Sequence, residues 1–541
     1  MTEHPAASVH RVPRMRWDAV TFALLATIVI GSILRFAGIM WGLPMLLHGD
    51  EAVIVDNAID MIRRNSFEPA FFMRPDHLEI QLGSLAYQVW AHVFNGASPL
   101  ALFAADPAPF YAISRGIVAL FGSGMIVLAY LIGRPFSRPA GLWMAVAVAV
   151  FPPFVEHSRY ATPDIPLTFT VMVVILGCVL YIRGGSWWVL VLACAGVALG
   201  ITVKYPAALG SIMVAAAVII DAATTRRPWR IAIRGAASAG MVVAMTFLLS
   251  PVLFTNGAEV VRQLSAQNSD QHLGASGLNG AGNLGFYATQ FLSHGGVTMV
   301  AFAAVGIVWA ILARREDAVP LLLGGVYWLA LSSLALHWDR WGLPMYLSVV
   351  LLAGLGFYGA WAASGRLGRS RTVVRWTVAV VASLTVLSLI LGSCMQLAYA
   401  QAEDTRVAST RGIADLGATI ENTAFDGYTP INPSGPGSVI QDLTVRDDAV
   451  VPRNPDRRLE YVLTSSNMVD RYLADSRRPE EQLLYTTIAE TLPVETTWDS
   501  VGEAPPGPWV IDRLIGSVGY LIELAAGGLV GPDIVLYRLA G

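Results

Sequence analysis

The chain has 541 residues, of which 55% are hydrophobic and 14% are charged, and its mean hydropathy is +0.55. A soluble globular domain carries about 25% charged residues, so this composition excludes an ordinary soluble protein and indicates an integral membrane protein. Residues 1–400 hold 25 of the 36 basic and 18 of the 39 acidic residues, a net charge of +7; the remaining 11 basic and 21 acidic residues give −10. We therefore expect a membrane body up to residue 399 and a water-soluble domain from residue 400 to residue 541.

Eleven apolar segments are long enough to cross a bilayer as helices, which takes about 20 residues each. The first follows a short basic segment with Arg11, Arg14 and Arg16, and its apolar stretch is longer than the core of a cleaved signal peptide, so we predict a retained span. The predicted spans lie near residues 18–40, 110–133, 137–156, 164–182, 186–203, 205–222, 232–254, 288–313, 318–336, 341–362 and 374–398.

Arginine is unevenly distributed among the loops that join these segments. When the spans are counted from a cytoplasmic amino terminus, every strongly basic loop falls on the inner side, as the positive-inside rule requires. We therefore predict a multi-pass protein of the cytoplasmic membrane whose long loops 41–109 and 255–287, and whose carboxy-terminal domain, are extracytoplasmic. The basic residues of the inner loops are Arg134, Arg138, Arg183, Arg226, Arg227, Arg230, Arg234, Arg314, Arg315, Arg366, Arg369, Arg371 and Arg375.

The carboxy-terminal segment has the pattern of a small α/β domain. A helix-like stretch covers Thr405 to Asn422, strand-like runs cover Leu459 to Thr464 and Ile534 to Leu539, and an amphipathic segment covers Glu480 to Leu492. The interval from Tyr428 to Ser438, rich in glycine, proline and asparagine, is predicted to be a loop.

The three cysteines, Cys178, Cys194 and Cys394, lie inside apolar runs. A thiol packs well in such surroundings, whereas a thiolate there is costly. The sequence therefore predicts neither a disulfide framework nor a zinc site.

Two adjacent carboxylates follow the first span, in the motif His48-Gly49-Asp50-Glu51. A helix is predicted over Ala52 to Arg64, because the apolar residues at positions 55, 59 and 62 recur at helical spacing. One interpretation is structural, with Asp50 as the N-cap and Glu51 as the complement of the helix dipole. The other is catalytic.

A second acid, Asp164, opens the fourth predicted span within the segment Glu156 to Leu167. It too could cap a helix. However, two acids on one membrane face suit a site that activates an acceptor, since one carboxylate can remove a hydroxyl proton while another orients the hydroxyl or holds a cation.

Cationic residues are predicted on this same face, against the positive-inside bias. They either pair with neighbouring acids such as Asp76, Glu156 and Asp339, or snorkel, or converge on a phosphate at the level of the lipid headgroups. Lys204 is the only lysine of the chain, which favours a specific role. The cations are Arg74, Arg159, Lys204 and Arg340.

Four short motifs, in this order and on one side of the membrane, resemble the protein O-mannosyltransferase and aminoarabinose transferase branch of the GT-C glycosyltransferases. The carboxy-terminal segment, including Asp404-Thr405-Arg406, is similar to the soluble domains of bacterial members. The motifs are His48-Gly49-Asp50-Glu51, Arg159-Tyr160-Ala161-Thr162-Pro163-Asp164-Ile165-Pro166-Leu167, Lys204-Tyr205-Pro206 and Arg340-Trp341-Gly342-Leu343-Pro344.

The resemblance implies a helical GT-C membrane body and transfer of a sugar from a polyprenyl-phosphate carrier to an extracytoplasmic protein, lipid or glycan. It implies that Asp50 is the catalytic base with Glu51 beside it, that Asp164 is a second catalytic acid, and that Lys204 faces the phosphate. The expected substrate-binding residues are Arg74, His77, Arg159, Tyr160, Lys204, Tyr205 and Arg340. Two departures concern substrate contacts: the segment Arg74-Pro75-Asp76-His77 lacks the usual paired prolines, and Arg340-Trp341 replaces Arg-Tyr.

The expected reaction is a single displacement with inversion at the anomeric carbon. Asp50 would take the acceptor proton, and Lys204 with Arg74 or Arg340 would stabilise the departing phosphate. The acids Asp50, Glu51 and Asp164 are also compatible with a bound magnesium or manganese ion, although their spacing does not require one. The glycine-rich segment Gly274 to Gly285, preceded by Asn268, Asp270 and His272, is either a lid over the carrier or an ordinary connector.

Two other classes of function compete with the transferase. A transporter or flippase would show charges near span centres or interrupted helices in matching halves, whereas here the unusual charges are predicted at one surface. A receptor or assembly protein would explain the acidic domain but leave the acids and cations of the outer face unused. No nucleic-acid partner is predicted.

Overall fold

The computed structural model describes residues 18–267, 280–366, 368–433, 437–502 and 507–539. The basic amino-terminal segment with Arg11, Arg14 and Arg16, and the glycine-rich segment up to residue 279 with Asn268, Asp270 and His272, lie outside the described residues. From Gly280 onward that segment is already helical.

The first four hundred residues form a helical body. Its helices are α1 (Ala19–Phe36), α2 (Gly49–Arg63), α3 (His77–Val89), α4 (Pro99–Ala105), α5 (Ala108–Gly133), α6 (Arg138–Val150), α7 (Pro152–Glu156), α8 (Asp164–Gly184), α9 (Trp187–Val203), α10 (Gly210–Thr224), α11 (Trp229–Leu249), α12 (Val252–Thr255), α13 (Gly257–Gln267), α14 (Gly280–Leu312), α15 (Val319–Leu322), α16 (Gly325–Ser332), α17 (Leu343–Ser364) and α18 (Arg371–Gln401).

The helical, polytopic fold class is confirmed. Among the described residues, eight helices are long and apolar enough to cross a membrane, and a ninth span results if α6 and the segment Pro152–Arg159, bent by 63°, count as one. The other two predicted spans correspond to α9, an apolar helix of 17 residues, and to the broken pair α15 and α16. The total of eleven spans therefore stays a prediction.

Helices α14 and α17 pack closely because glycines face each other at their crossing. A side chain on Gly356 would clash with the backbone of Phe302, and one on Gly306 would clash with the carbonyl group of Leu352. Small residues let helix backbones approach each other where lipid surrounds the pair and water gives no hydrophobic driving force.

The loop 41–109 contains α2, α3 and α4 and a π-helical turn at Trp90–Phe94. The predicted helix at 52–64 is confirmed as α2, and Val55 and Ile59 are buried between this helix and α3. The sequence did not predict α3 or α4, whose residues pack on α2 and cover one end of the bundle.

The carboxy-terminal segment is a small α/β domain, as predicted. Its elements are α19 (Thr405–Asp415), β1 (Thr423–Phe425), α20 (Val439–Asp442), β2 (Leu443–Arg446), β3 (Ala449–Pro452), β4 (Tyr461–Ser465), α21 (Ser466–Ala474), α22 (Pro479–Thr491), β5 (Val494–Trp498), α23 (Val510–Ala525) and β6 (Ile534–Arg538). Four strands form one sheet in the order β1-β4-β6-β5, in which β1 and β4 are parallel and the other neighbours are antiparallel. Strands β2 and β3 form a separate antiparallel hairpin.

The α/β domain lies at the same end of the bundle as the loop 41–109. Arg406 donates a hydrogen bond of 3.0 Å from Nη1 to the carbonyl oxygen of Leu47, and the Arg471 guanidinium lies 5.7 Å from the centre of the Trp338 ring. The two segments predicted to share one side of the membrane are therefore together in the structure.

The glycine contact between α14 and α17 predicts that Gly356→Ala destabilises the membrane body. An added methyl group has no room there, so we expect a loss of roughly 1–3 kcal/mol, as for other overpacked cores. The matched control is Gly325→Ala, because a side chain at Gly325 would meet no atom within 4 Å. Thermal unfolding in detergent should show a lower Tm for Gly356→Ala alone; equal Tm values would contradict the packing.

Candidate functional site

The candidate site lies at one end of the bundle, where several helices begin or end. Asp50 lies in the first turn of α2, Asp164 opens α8, and Lys204 follows the last residue of α9. Arg340 lies in the short 3-10 turn Asp339–Gly342 before α17. Because these termini meet, residues far apart in the chain come together.

Asp50 is held by two arginines. Its Oδ2 lies 2.5 Å from Nη2 of Arg340 and 3.6 Å from Nη1 of Arg74, and 34% of the side chain is exposed. Burial acts to raise the pKa of Asp50, but Arg340 and Arg74 outweigh it and hold this pKa below its ordinary range. Asp50 is therefore a carboxylate at neutral pH. It is not the N-cap of α2, since His48 occupies that position.

Asp164 is shared between Lys204 and Arg340. Lys204 donates from Nζ to Oδ1 of Asp164 at 2.8 Å, and Nε of Arg340 lies 3.7 Å from Oδ2. The ammonium group also lies 5.0 Å from the centre of the Trp341 ring. Asp164 is buried and binds Lys204 directly, whereas its Oδ2 lies within ion-pair distance of Arg340 without a hydrogen bond.

Arg74 pairs with Asp76, which the sequence suggested only as a neutralising partner. Arg74 donates from Nε to Oδ2 of Asp76 at 2.9 Å. Asp76 adopts a left-handed backbone conformation with φ of 52°, and its N–H donates to the carbonyl oxygen of Val203 at 3.1 Å, next to Lys204. Burial raises the pKa of Asp76 to about 7, although Arg74 opposes this shift.

An apolar cavity of about 650 Å³ opens beside the three cations. Arg74 and Lys204 form its polar end, and side chains of Leu209, Ile212 and Leu331 belong to its apolar wall. Ile212 is 43% exposed, so the cavity opens on the side of the bundle. Its remaining lining comes from Met73, Leu167, Tyr205, Pro206, Ala208, Leu264, Ser265, Ala330, Leu334, Leu336 and Trp341.

Glu51 is turned away from this cavity. Arg115 holds it with two hydrogen bonds, from Nε to Oε1 at 2.7 Å and from Nη2 to Oε2 at 2.6 Å, and both side chains are fully buried. The N–H of Ala161 donates to the same Oε1 at 2.7 Å. Arg115 also donates to the carbonyl oxygens of Ile39 and Trp41. Glu51 thus fixes the first turn of α2, and with it Asp50.

His77 and Tyr205 also bind protein groups. Nε2 of His77 donates to the carbonyl oxygen of Phe71 at 2.7 Å, since a carbonyl only accepts, and Nδ1 therefore accepts from the Ser250 hydroxyl at 2.6 Å. Burial lowers the pKa of His77 to about 4, so the ring is neutral. The Tyr205 hydroxyl donates to the carbonyl oxygen of Phe72 at 2.8 Å. Both residues shape the segment that carries Arg74.

Arg159 does not join the three cations. Its guanidinium donates to the backbone oxygen of Gln396, to the side-chain oxygen of Gln396 at 3.2 Å and to the Tyr160 hydroxyl at 3.0 Å. It also lies over the rings of Tyr160 and Tyr399. The expected convergence of cations therefore involves Arg74, Lys204 and Arg340, while Arg159 and Tyr160 attach the turn after α7 to α18.

A histidine and carboxylate pair lies next to Arg340 and was not predicted. Nε2 of His294 lies 2.8 Å from Oδ2 of Asp339, and the Tyr346 hydroxyl donates to Oδ1 at 2.6 Å. The sequence offered Asp339 as a possible partner of a neighbouring cation, but Arg340 pairs with Asp50 and Asp164 instead. His294 could not have been found by spacing, because it lies in the middle of an apolar helix and 45 residues before its partner.

The acids of the site do not form a metal-binding group. Across residues 18–267, 280–366, 368–433, 437–502 and 507–539, no cluster of three or more His, Cys, Asp or Glu side chains is arranged to hold a metal ion. Asp50 and Asp164 point at arginine and lysine instead. A magnesium or manganese ion would have to displace these cations, and its binding stays a prediction.

Part of the chain matches a known family model. Residues 113–254, which include α8, Lys204 and the whole of α11, match the family described as dolichyl-phosphate-mannose-protein mannosyltransferase. A comparison with curated protein sequences gave no significant match.

The fold is similar to that of solved membrane enzymes. The apo structure of ArnT from Cupriavidus metallidurans has a TM-score of 0.50 at 12% identity, over 96% of this chain and 98% of that one. The same protein bound to undecaprenyl phosphate has a TM-score of 0.47 at 13% identity, over 96% and 97%. An apo oligosaccharyltransferase of Archaeoglobus fulgidus has a TM-score of 0.50 at 12% identity, over 89% and 73%. The predicted resemblance to the GT-C branch is thus confirmed at the level of fold and partial family match.

The Glu51 and Arg115 pair predicts that Glu51→Gln destabilises the fold. The substitution leaves a buried guanidinium without its counter-ion, which costs roughly 3–5 kcal/mol. The control is Asp60→Asn in the same helix, because its pair with Arg64 is exposed and worth at most about 1 kcal/mol. Thermal unfolding of the purified variants should separate them. A Glu51→Gln variant that is stable but inactive would instead favour a direct catalytic role for Glu51.

Proposed function

We propose that this chain, which has the fold of the GT-C glycosyltransferases, transfers a sugar from a polyprenyl-phosphate carrier to an acceptor hydroxyl on the non-cytoplasmic side of the membrane. One observation carries the proposal. The apolar cavity ends at Arg74 and Lys204, and Asp50 and Arg340 lie directly beyond them. The lipid tail would thus contact the apolar wall, the phosphate would contact the cations, and the acceptor would lie next to Asp50 as the base.

The cavity suits an isoprenoid phosphate. Its wall is mainly aliphatic, and the exposure of Ile212 and Leu264 at its mouth would let a carrier enter sideways from the bilayer. Arg74 and Lys204 at its inner end, with Arg340 beyond them, supply planar, bidentate donors and a compact point charge, a combination suited to phosphate oxygens. The long isoprenoid tail would remain in lipid.

The charges of the site support a role for Asp50 as the base. Arg74, Lys204 and Arg340 are each paired with an aspartate, so an incoming phosphodiester must share these cations. Once Arg340 and Arg74 turn toward the phosphate, Asp50 loses the interactions that hold its pKa low. Donor binding would therefore raise the basicity of Asp50 at the moment at which a base is needed.

The proposed step moves one negative charge from Asp50 to the leaving group. The acceptor oxygen forms a bond to the anomeric carbon, the bond from that carbon to the phosphate oxygen breaks, and its electron pair stays on the polyprenyl phosphate. The acceptor proton passes to Asp50. Lys204, Arg74 and Arg340 stabilise the phosphate charge as it develops. A single displacement of this kind inverts the anomeric centre.

The remaining predicted site residues have supporting roles in this proposal. Asp164 positions Lys204 and Arg340, and Glu51 fixes the helix that carries Asp50. His77 and Tyr205 shape the segment around Arg74. The arginine distribution of the sequence puts this face of the bundle outside the cytoplasm, in the cytoplasmic membrane. The acceptor is a protein, lipid or glycan hydroxyl.

The proposal predicts that Asp50→Asn and Lys204→Gln each reduce transfer of labelled sugar from polyprenyl-phosphate donors by roughly a hundredfold or more, the usual effect of removing a base or a charge stabiliser. The matched control is Asp56→Asn, an exposed aspartate of the same helix, which should keep full activity. Transfer is measured in membranes with equal amounts of each variant.

Full activity of Asp50→Asn would rule out Asp50 as the base. If no donor in a panel of polyprenyl-phosphate sugars is used, but labelled carrier crosses liposomes that contain the protein, the chain is a flippase and the transferase proposal is wrong.

The pKa of Asp76, about 7, predicts a pH-dependent affinity for the donor. Below pH 7 Asp76 is protonated and no longer neutralises Arg74, so the donor KM should fall by roughly threefold to tenfold, the effect of a charge interaction on the order of 1 kcal/mol. Above pH 7 the ionised carboxylate competes with the phosphate and KM should rise. The measurement is donor KM between pH 5.5 and about 8.5, a range around that pKa.

The control for this prediction is Asp76→Asn. Asparagine tolerates the left-handed backbone conformation of this position, so the fold should persist, while the donor KM should be low and independent of pH. An unchanged pH dependence in Asp76→Asn would assign it to another group.

A further inference from the structure

Helix α14 is broken close to the candidate site. Gly296 has φ of 74° and ψ of 168°, which interrupts the helix between His294 and Val297. In a continuous α-helix the N–H of Val297 would donate to the carbonyl oxygen of Ser293. The break leaves backbone donors and acceptors of α14 without their helical partners.

The carboxy-terminal domain supplies the missing partners. The N–H of Val297 donates to the carbonyl oxygen of Pro508 at 2.9 Å. Arg513, which is 1% exposed, donates from Nη1 to the carbonyl oxygen of Ser293 and from Nη2 to that of His294 at 2.5 Å. The segment that begins α23 thus completes the hydrogen bonding of a helix in the membrane body.

These contacts lie beside the middle of α18, one of the helices that are long and apolar enough to cross a membrane. The hydroxyl of Thr298, the residue after Val297, donates to the hydroxyl oxygen of Thr385 at 2.8 Å, since Thr385 donates its own hydrogen to the carbonyl oxygen of Val381. Thr385 lies in the middle of α18, whose bounds are Arg371 and Gln401, and is about 24 Å along the helix axis from the end of α18. Pro508, which binds the residue before Thr298, is therefore also far from that end. Closer to the Gln401 end of α18, Nη2 of Arg513 lies 3.9 Å from the position that a Cβ atom on Gly392 would take.

Helix α23 exposes an apolar face at this level. One side of the helix carries the buried residues Arg513, Ser517 and Tyr520 and packs on α18. The other side is exposed. Its large residues, spaced at helical intervals, are Ile511, Ile515, Val518 and Ile522, which are 67%, 68%, 45% and 64% exposed, preceded by Trp509 at 63%.

We propose that residues 507–525 enter the half of the bilayer next to the α/β domain, with the apolar face of α23 against lipid acyl chains. Lipid offers no hydrogen-bond partners, so a broken helix is tolerated there only where protein satisfies its backbone. Pro508 and Arg513 do so. The exposed isoleucines would otherwise form an apolar stripe in water, and Trp509 is of a type enriched at membrane interfaces. The domain beyond residue 400 is then a part of the membrane body and not a wholly water-soluble module.

The test uses the full chain in lipid nanodiscs, with Cys394→Ala because the other two cysteines are buried. A nitroxide on Ile515→Cys is compared with labels on Val29→Cys, exposed on α1, and on Leu483→Cys, exposed on α22. Oxygen concentrates in lipid and a nickel chelate in water. We expect the Ile515 label to match Val29, with strong broadening by oxygen and loss of broadening by nickel.

A label at Ile515 that nickel reaches as readily as at Leu483 would overturn the proposal. The substitution lies on the exposed face and leaves Arg513 in place, so the fold should be preserved. Because the readout needs no sugar transfer, the result is independent of whether the proposed transferase activity is correct.

Discussion

The candidate site depends on charge neutrality in a region of low dielectric. Arg74, Lys204 and Arg340 alternate with Asp50, Asp76 and Asp164, and Asp164 and Asp76 are almost completely buried. An unpaired charge in such a place is costly, whereas an alternating set of opposite charges compensates itself. An anionic ligand can therefore enter only by sharing cations that already have partners. Substrate binding and rearrangement of the carboxylates are thus one event.

The three cations and three aspartates of the site are surrounded by side chains that are bound to fixed protein partners. Glu51 and Arg115 attach α2 to α5 and to the turn at Ala161, and Arg159 attaches the turn after α7 to α18. His77 joins the start of α3 to the end of α11. The frame uses hydrogen bonds to backbone carbonyls, which have no alternative donors in lipid. Rigid surroundings let a small shift of Arg340 act on Asp50 without a change of fold.

Composition and the periodicity of apolar residues were sufficient to predict the membrane body, helix α2 and the α/β character of the domain. The length and the period of an apolar segment are local properties of a sequence. The contact of Asp50 with Arg340, 290 positions later, was not predicted, because the order of spans and loops indicated only that both lie on one membrane face. Sequence could not separate Glu51 from Asp50, since adjacent helical residues point about 100° apart and only packing decides which one is buried. Nor could it reveal the part that Arg513 plays, because the acceptors of Arg513 are carbonyls freed by a break at Gly296.

The sideways opening of the cavity has a consequence for molecular recognition. A volume of about 650 Å³ holds a phosphate and the first few isoprene units, and the rest of a long carrier stays outside the protein. Isoprene units that make no contact with the cavity wall do not contribute to binding selectivity. If a polyprenyl phosphate binds there as proposed, the protein would recognise the charged head of the lipid and would not discriminate by the length or saturation of the distal tail. The contacts made by the sugar would then decide which donors are accepted. Organisms with different polyprenols could use the same type of lipid-binding cavity.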